Sequence, residues 1–172
     1  TDAVAGVGYT RCVFPTLTTD ECLLNRAEAK VMLKRYNEAA EDLDLWMHNI
    51  MDTNVKVTPE LVTSFYNSIE YAEPLESTQK KHLHPAFSID AEGSTQECML
   101  QCVLGFKRIE TLQLGLRWFD VKRYGIEICR RMMNAAGKPE KQTDILTVDD
   151  PRRAMQIPQK VRDAGYEPNP RN

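Results

Sequence analysis

The chain has 172 residues, enough for one domain but not for two large ones. With 42% hydrophobic and 27% charged residues it carries the material of a packed core, not the composition of a disordered segment. Twenty-two Lys and Arg stand against 25 Asp and Glu, a formal charge of -3, so bulk electrostatics point to neither nucleic acid nor an anionic membrane as partner. Its apolar runs are far below the roughly 18 residues that cross a bilayer, and TDAVAGVGYT lacks a basic stretch followed by an apolar one; the expectation is a chain with neither anchor nor export signal of its own.

Residues 1 to 18 read as irregular, punctuated by Gly6, Gly8 and Pro15. A helix start follows at Thr18 or Thr19, with Asp20 and Glu21 in its first turn. From there to residue 50 two helices fit better than one. Leu23, Leu24, Ala27, Val31 and Met32 form a first apolar face, Lys34 and Arg35 break it, and Tyr36, Ala39, Ala40, Leu43 and Trp46 form a second. An aromatic opening the second helix, and small residues twelve positions apart at Ala27 and Ala39, match a tetratricopeptide hairpin. No second copy is visible at that repeat's period, so an ordinary antiparallel helix pair stays open on pattern alone.

Thr58 followed by Pro59 predicts a third helix that runs through ELVTSFYNSIEY and ends before Pro74. Residues 74 to 93 read as a long loop. Ser94 opens the most regular helix of the chain, with Met99, Cys102, Phe106, Ile109, Leu112 and Leu116 at intervals of three and four through to Leu116. Gly105 and Gly115 inside it each require a packing reason or a bend. IEICRRMM and QTDILTV, on either side of AAGKPE, predict a small β-hairpin. The tail DDPRRAMQIPQKVRDAGYEPNPRN holds four prolines and room for one helical turn near Gln159 to Ala164, so it needs pinning to something else.

Chemistry-bearing motifs are few. The five cysteines, Cys12, Cys22, Cys98, Cys102 and Cys129, have no metal-binding or redox spacing, and Cys98 and Cys102, one helical turn apart, read as buried, inert thiols. There is no phosphate loop, nucleophile elbow or zincin helix. His82 and His84 could meet Asp90, Glu92 or Glu97 around a metal, but a solvated, partly packed loop is the favoured reading, and no cofactor or metal is expected. In FKRIETLQLGLRWFDVKRYG, five basic residues mix with Phe106, Trp118, Phe119 and Tyr124. Such a mixture can bind single strands by stacking. It can equally be a helix whose aromatics are core and whose arginines are internal ties, and that structural reading is the one favoured.

Three stretches in order, LLNRAEAKVMLKRYNEAAEDL, FKRIETLQLGLRWFDVKRYG, and DDPRRAMQIPQ with a closing EPNPRN, make the chain resemble the C-terminal part of the SusD/RagB family from about Gly8 to Asn172. The resemblance implies an α-helical protein with tetratricopeptide-like hairpins, of which 20–50 is the last, packed against a more irregular C-terminal part; with the residue patterns above, the expected fold is mainly α, with a long helical motif over 94–125 and a small β-hairpin and irregular proline-rich tail over 126–172. It also implies a non-catalytic, cell-surface lipoprotein of the bacterial outer membrane that binds glycans and feeds a TonB-dependent transporter, with anchor and signal outside this sequence. Arg26, Arg117, Trp118, Asp120 and Arg123 are then structural residues of the matched motifs. The family's glycan contacts lie outside those motifs, so none is carried over.

Within the chain itself the only candidate glycan contacts are Tyr71, His82, His84 and Phe87 around the long loop. A protein-interaction module without sugar is the alternative function, and an enzyme is a distant third. Phe106, Ile109, Trp118 and Phe119 are expected to be buried, and Arg117 or Arg123 to bond Asp120, Glu110 or a backbone carbonyl. A lone hairpin leaves Leu23, Val31, Tyr36, Leu43 and Trp46 in need of cover. Part of that cover is expected from an N-terminal remainder of the protein or from a second chain.

Overall fold

In a computed structural model, described here for residues 17–171, the chain is mainly helical with one small antiparallel sheet. The irregular reading of residues 1 to 18, and Cys12 with it, falls almost wholly outside the described residues.

Helix α1 (Thr19–Met32) starts where the Thr18 hydroxyl accepts the Glu21 N–H at 3.1 Å. It closes in a left-handed turn at Lys34, φ +59°, with the Arg35 N–H reaching back to the Lys30 carbonyl. Helix α2 (Tyr36–Ile50) then returns antiparallel, so 20–50 is a hairpin and not one rod. Ala27 and Ala39 are both fully buried in it.

Helix α3 (Pro59–Asn67) is capped by Thr58 and is shorter than the sequence suggests, ending at Asn67 because the chain turns there. The Tyr66 hydroxyl of α3 donates to the Gln101 carbonyl at 3.3 Å. Gln101 lies on α4 (Thr95–Glu110), whose first turn is capped by Ser94. Helix α4 is the centre of the molecule: Gln96 to Leu104 are all buried, and α1, α2 and α3 pack around it. Trp46 of α2, 1% exposed, stacks on Phe106 with ring centroids 4.5 Å apart and donates its indole N–H to Glu110 at 2.9 Å. Part of the cover demanded by the hairpin therefore comes from within the chain. Val31, Leu43 and Trp46 are buried, and Leu23 and Tyr36 pack partly against the same core.

The continuous helix expected from Ser94 to Leu116 is instead two. The chain leaves α4 after Glu110, turns through Gln113 and Gly115 with φ of 69° and 75°, and begins α5 (Arg117–Arg123) in a new direction. Gly115 is thus the bend and Gly105 the packing site, since a Cβ at Gly105 would meet the Tyr66 hydroxyl at 3.3 Å. The bend overturns two burial expectations. Ile109 is 59% and Phe119 67% exposed. Ile109 lies past the point where the core ends. On α5 the inward face belongs to Asp120, Val121 and Tyr124, and Phe119 points off it. Phe106 and Trp118 are partly buried against the core.

Strands β1 (Ile128–Met133) and β2 (Pro139–Leu146) pair with Ile128 opposite Leu146 and two register irregularities. The tail is pinned by Arg153, 7% exposed, in a short 3-10 turn at Pro151–Arg153. Its guanidinium donates to the carbonyls of Ile126 at 2.6 Å, Val121 at 3.1 Å and Thr147 at 2.5 Å. Helix α6 (Gln159–Asp163) is the expected single turn, and Gln156 and Asn169 tie the closing prolines back on themselves.

Gly125, between α5 and β1, packs on the long loop at His84. It has φ +58°, and a Cβ there would lie 2.2 Å from the His84 carbonyl oxygen. Gly125→Ala is therefore expected to cost more than about 1 kcal/mol, read as a lowered denaturation midpoint. An unchanged midpoint would show that the loop gives way freely.

Candidate functional site

The side chains named from the sequence fall into two clusters. The first is built by α1, α2, α4 and α5. On α1 the buried stripe Leu24, Ala27, Val31 includes a carboxylate, Glu28, at 7% exposure. A buried carboxylate must be met by donors. Lys107 of α4 forms an ion pair with it, Arg123 donates at 2.9 Å and the Tyr124 hydroxyl at 2.7 Å. Burial works against the charged Glu28, but the Lys107, Tyr124 and Arg123 bonds outweigh it and hold its carboxyl below the usual range.

Asp120 lies beside this group, 3.9 Å from Lys107 and 3.4 Å from Arg117, which also donates to the Leu104 carbonyl at 3.2 Å. Here burial prevails over both cations, and the Asp120 carboxyl is raised. Arg117 thus makes the carbonyl and carboxylate bonds expected of it, whereas Arg123 reaches Glu28 and not the acids near it in sequence. A second clamp joins the hairpin. Asp42 of α2 takes Arg26 at 2.7 Å and Lys30 at 2.7 Å, which hold its carboxyl low against the opposing effect of burial. Beside Glu28, Lys107, Asp120 and Arg123 opens a cavity of about 780 Å³ with Phe119 on its wall. Both Glu28 oxygens are engaged by helix-borne donors, so the cluster acts as a clamp between helices.

The second cluster belongs to the long loop. Tyr71 and His82 stack with centroids 4.4 Å apart and planes 12° from parallel, and His84 continues the column at 6.3 Å. Lys80, 3% exposed, sets its ammonium 4.1 Å from the Tyr71 ring centre. His82 and Lys80 thus both lie against the Tyr71 ring, at the distance a stacked sugar would need. Its hydroxyl is buried without a partner among the described residues, and burial together with the nearby Glu97 carboxylate raises its pKa. His82 meets Glu92 at 2.6 Å, and His84 is the exposed end of the column.

Phe87 is not part of this column. It packs edge-on to Tyr124 at 5.6 Å beneath the Arg123 guanidinium at 4.9 Å. Asp90 is drawn off to Lys34 at 2.7 Å, and Glu97 is buried against Gln101 at 2.7 Å. Among the described residues no three His, Cys, Asp or Glu side chains converge as metal ligands. No described helix is long and apolar enough to cross a membrane. Cys22, Cys98, Cys102 and Cys129 are free thiols, and burial raises Cys98 to about 11 and Cys102 to about 12, which fits the inert reading of that pair.

The sequence reading missed Glu28, although the signal was present as a carboxylate on an otherwise apolar helical stripe. It also missed Arg153, for which a buried guanidinium after a proline leaves no periodic trace. Comparisons with protein-family models, curated proteins and solved structures found no match for this chain.

The sign of the Glu28 shift fixes a pH dependence. A carboxyl lowered in the folded state stabilises the fold above its unfolded pKa, near 4.5, and that contribution is lost as pH falls through the depressed value. Asp42 acts in the same direction and Asp120, raised, in the opposite one. Glu28→Gln is expected to cost about 3 kcal/mol at neutral pH and to flatten the loss of stability below about pH 4.5 in urea titrations. Parallel curves for the two proteins would contradict it.

Proposed function

We propose that this chain is a non-catalytic glycan-binding component of a bacterial cell surface, serving a TonB-dependent outer-membrane transporter. The observation that carries the reading is the way the three stretches of the SusD/RagB resemblance meet. Glu28, from the first, is held by Lys107, Arg123 and Tyr124 of the second. Arg153, from the third, caps the Val121 carbonyl inside the second and the Ile126 carbonyl just beyond it. Stretches spread over more than a hundred positions thus form one interlocked unit, which is what a shared architecture requires of them and what chance similarity in three separate segments does not. In this reading the ligand does not stack on Tyr71, whose ring already carries His82 and Lys80, or on the face of Phe87 that lies under Arg123. His84 is the member of the loop cluster left open to a sugar, at the outer end of a stacked column that holds it in place.

A second reading, a tetratricopeptide-like protein-interaction module without sugar, is favoured by one feature, an apolar groove between α3 and α4. The two differ in ligand. Affinity electrophoresis through gels containing amylopectin, xylan, arabinogalactan or inulin separates them. The glycan reading expects retardation by at least one polysaccharide, weakened at least about tenfold in affinity by His84→Ala. Free migration through all four, with the chain folded, would leave the interaction reading standing.

A further inference from the structure

The apolar stripe of α4 continues after the core has ended. Met99 and Cys102 are buried and Phe106 partly so, but Ile109 and Leu112, the next two members of the same series, are 59% and 70% exposed. Across from them Leu61 and Phe65, one turn apart on α3, are also open to solvent, as is Met51 at the end of α2. These walls enclose a groove of about 820 Å³ floored in part by Cys102 and Gly105. From Gln101 to Ile109 it follows α4 for about 12 Å, and Leu112 lengthens it, so it offers between two and three turns of helix a place to lie.

Its charge is one-sided. Among the described residues no Asp or Glu lines the groove, while Arg108 and Arg117 do. Lys81 stands near them. Burial is the first cause that lowers its pKa, and the charges of Arg131, Arg108 and Arg117 add to it. Arg117 is turned to Asp120, but among the described residues neither Arg108 nor Lys81 forms an ion pair. A sugar would find few hydrogen-bonding groups on such walls, and a bilayer surface cannot enter a concavity. A helix with an apolar stripe and acidic flank matches both the shape and the charge.

We propose that this groove docks an amphipathic α-helix of a partner protein, its apolar stripe lying along Leu61, Phe65, Ile109 and Leu112 and its carboxylates facing Arg108. The site is separate from the Glu28 cluster and from the histidine column, and it does not depend on the glycan reading.

The test uses a fluorescein-labelled designed peptide of about 18 residues, with Leu at helical three-and-four spacing and Glu along one flank, beside a twin carrying Lys in place of each Glu. By anisotropy with the whole chain, the acidic peptide is expected to bind more tightly than about 100 μM and at least about tenfold better than its twin. Arg108→Glu is expected to reverse that preference, which misfolding cannot do. Replacing the exposed pair, Ile109→Ser with Leu112→Ser, should weaken both peptides at least about tenfold while the thermal midpoint is kept. Equal affinity for the two peptides, or binding of neither, would overturn the proposal. Sedimentation showing a dimer that the Ile109 and Leu112 substitutions dissociate would overturn it too, since the groove would then be taken by a second copy.

Discussion

Burying Glu28 between α1 and the corner made by α4 and α5 obliges the chain to bring donors to it, and those donors come from residues 79 to 96 positions further along. Unpaired, a carboxylate at that depth would cost several kcal/mol. Paired, it sets where α5 must lie. Lys107 approaches from α4, and Arg123 and Tyr124 from the end of α5, so the three bonds form together only if the chain turns between Glu110 and Arg117. The left-handed residues Gln113 and Gly115 supply that turn. Tyr124 then carries the constraint onward: its carbonyl accepts the His84 N–H at 2.8 Å, and its ring receives the edge of Phe87. The long loop is positioned by the same corner.

Helix α4 divides the molecule's chemistry by its own geometry. Lys107 and Ile109 are two residues apart, about 200° around the helix, so the ionic clamp and the apolar groove occupy different sides of one rod. This explains why Ile109, which sits in a perfect apolar series, is not in the core. The clamp has drawn α1 and α5 to one side, α3 lies against another, and beyond Leu104 the side of the helix that carries Arg108 and Ile109 is left uncovered.

What could be read from the sequence was what local chemistry controls. Thr18, Thr58 and Ser94 are caps by side-chain oxygen, and each accepts the N–H of the residue three positions on. The hairpin break at Lys34 and Arg35, the strands on either side of Gly137, and the turn near Gln159 follow from local propensity as well. Long-range pairing could not be read in this way. Nothing in the spacing of KRIETLQLGLRWFD distinguishes a helix that continues from one that turns to meet a carboxylate on α1. Tyr71, His82 and His84 do lie together, but nothing in their spacing tells that Lys80 sits against the Tyr71 ring. Phe87, grouped with them by its place in the loop, serves the Arg123 and Tyr124 corner instead.

The central claim is that Glu28 and its donors couple the α1–α2 hairpin to the α4–α5 corner. A double-mutant cycle measures that coupling directly: Glu28→Gln, Lys107→Met and the pair, each unfolded in urea at neutral pH. If the clamp holds the two halves together, the effects are strongly non-additive, with an interaction energy of about 2 kcal/mol or more. Additivity to within about 0.5 kcal/mol would show that the two residues are neighbours without being partners, and that the corner is held by its apolar packing alone.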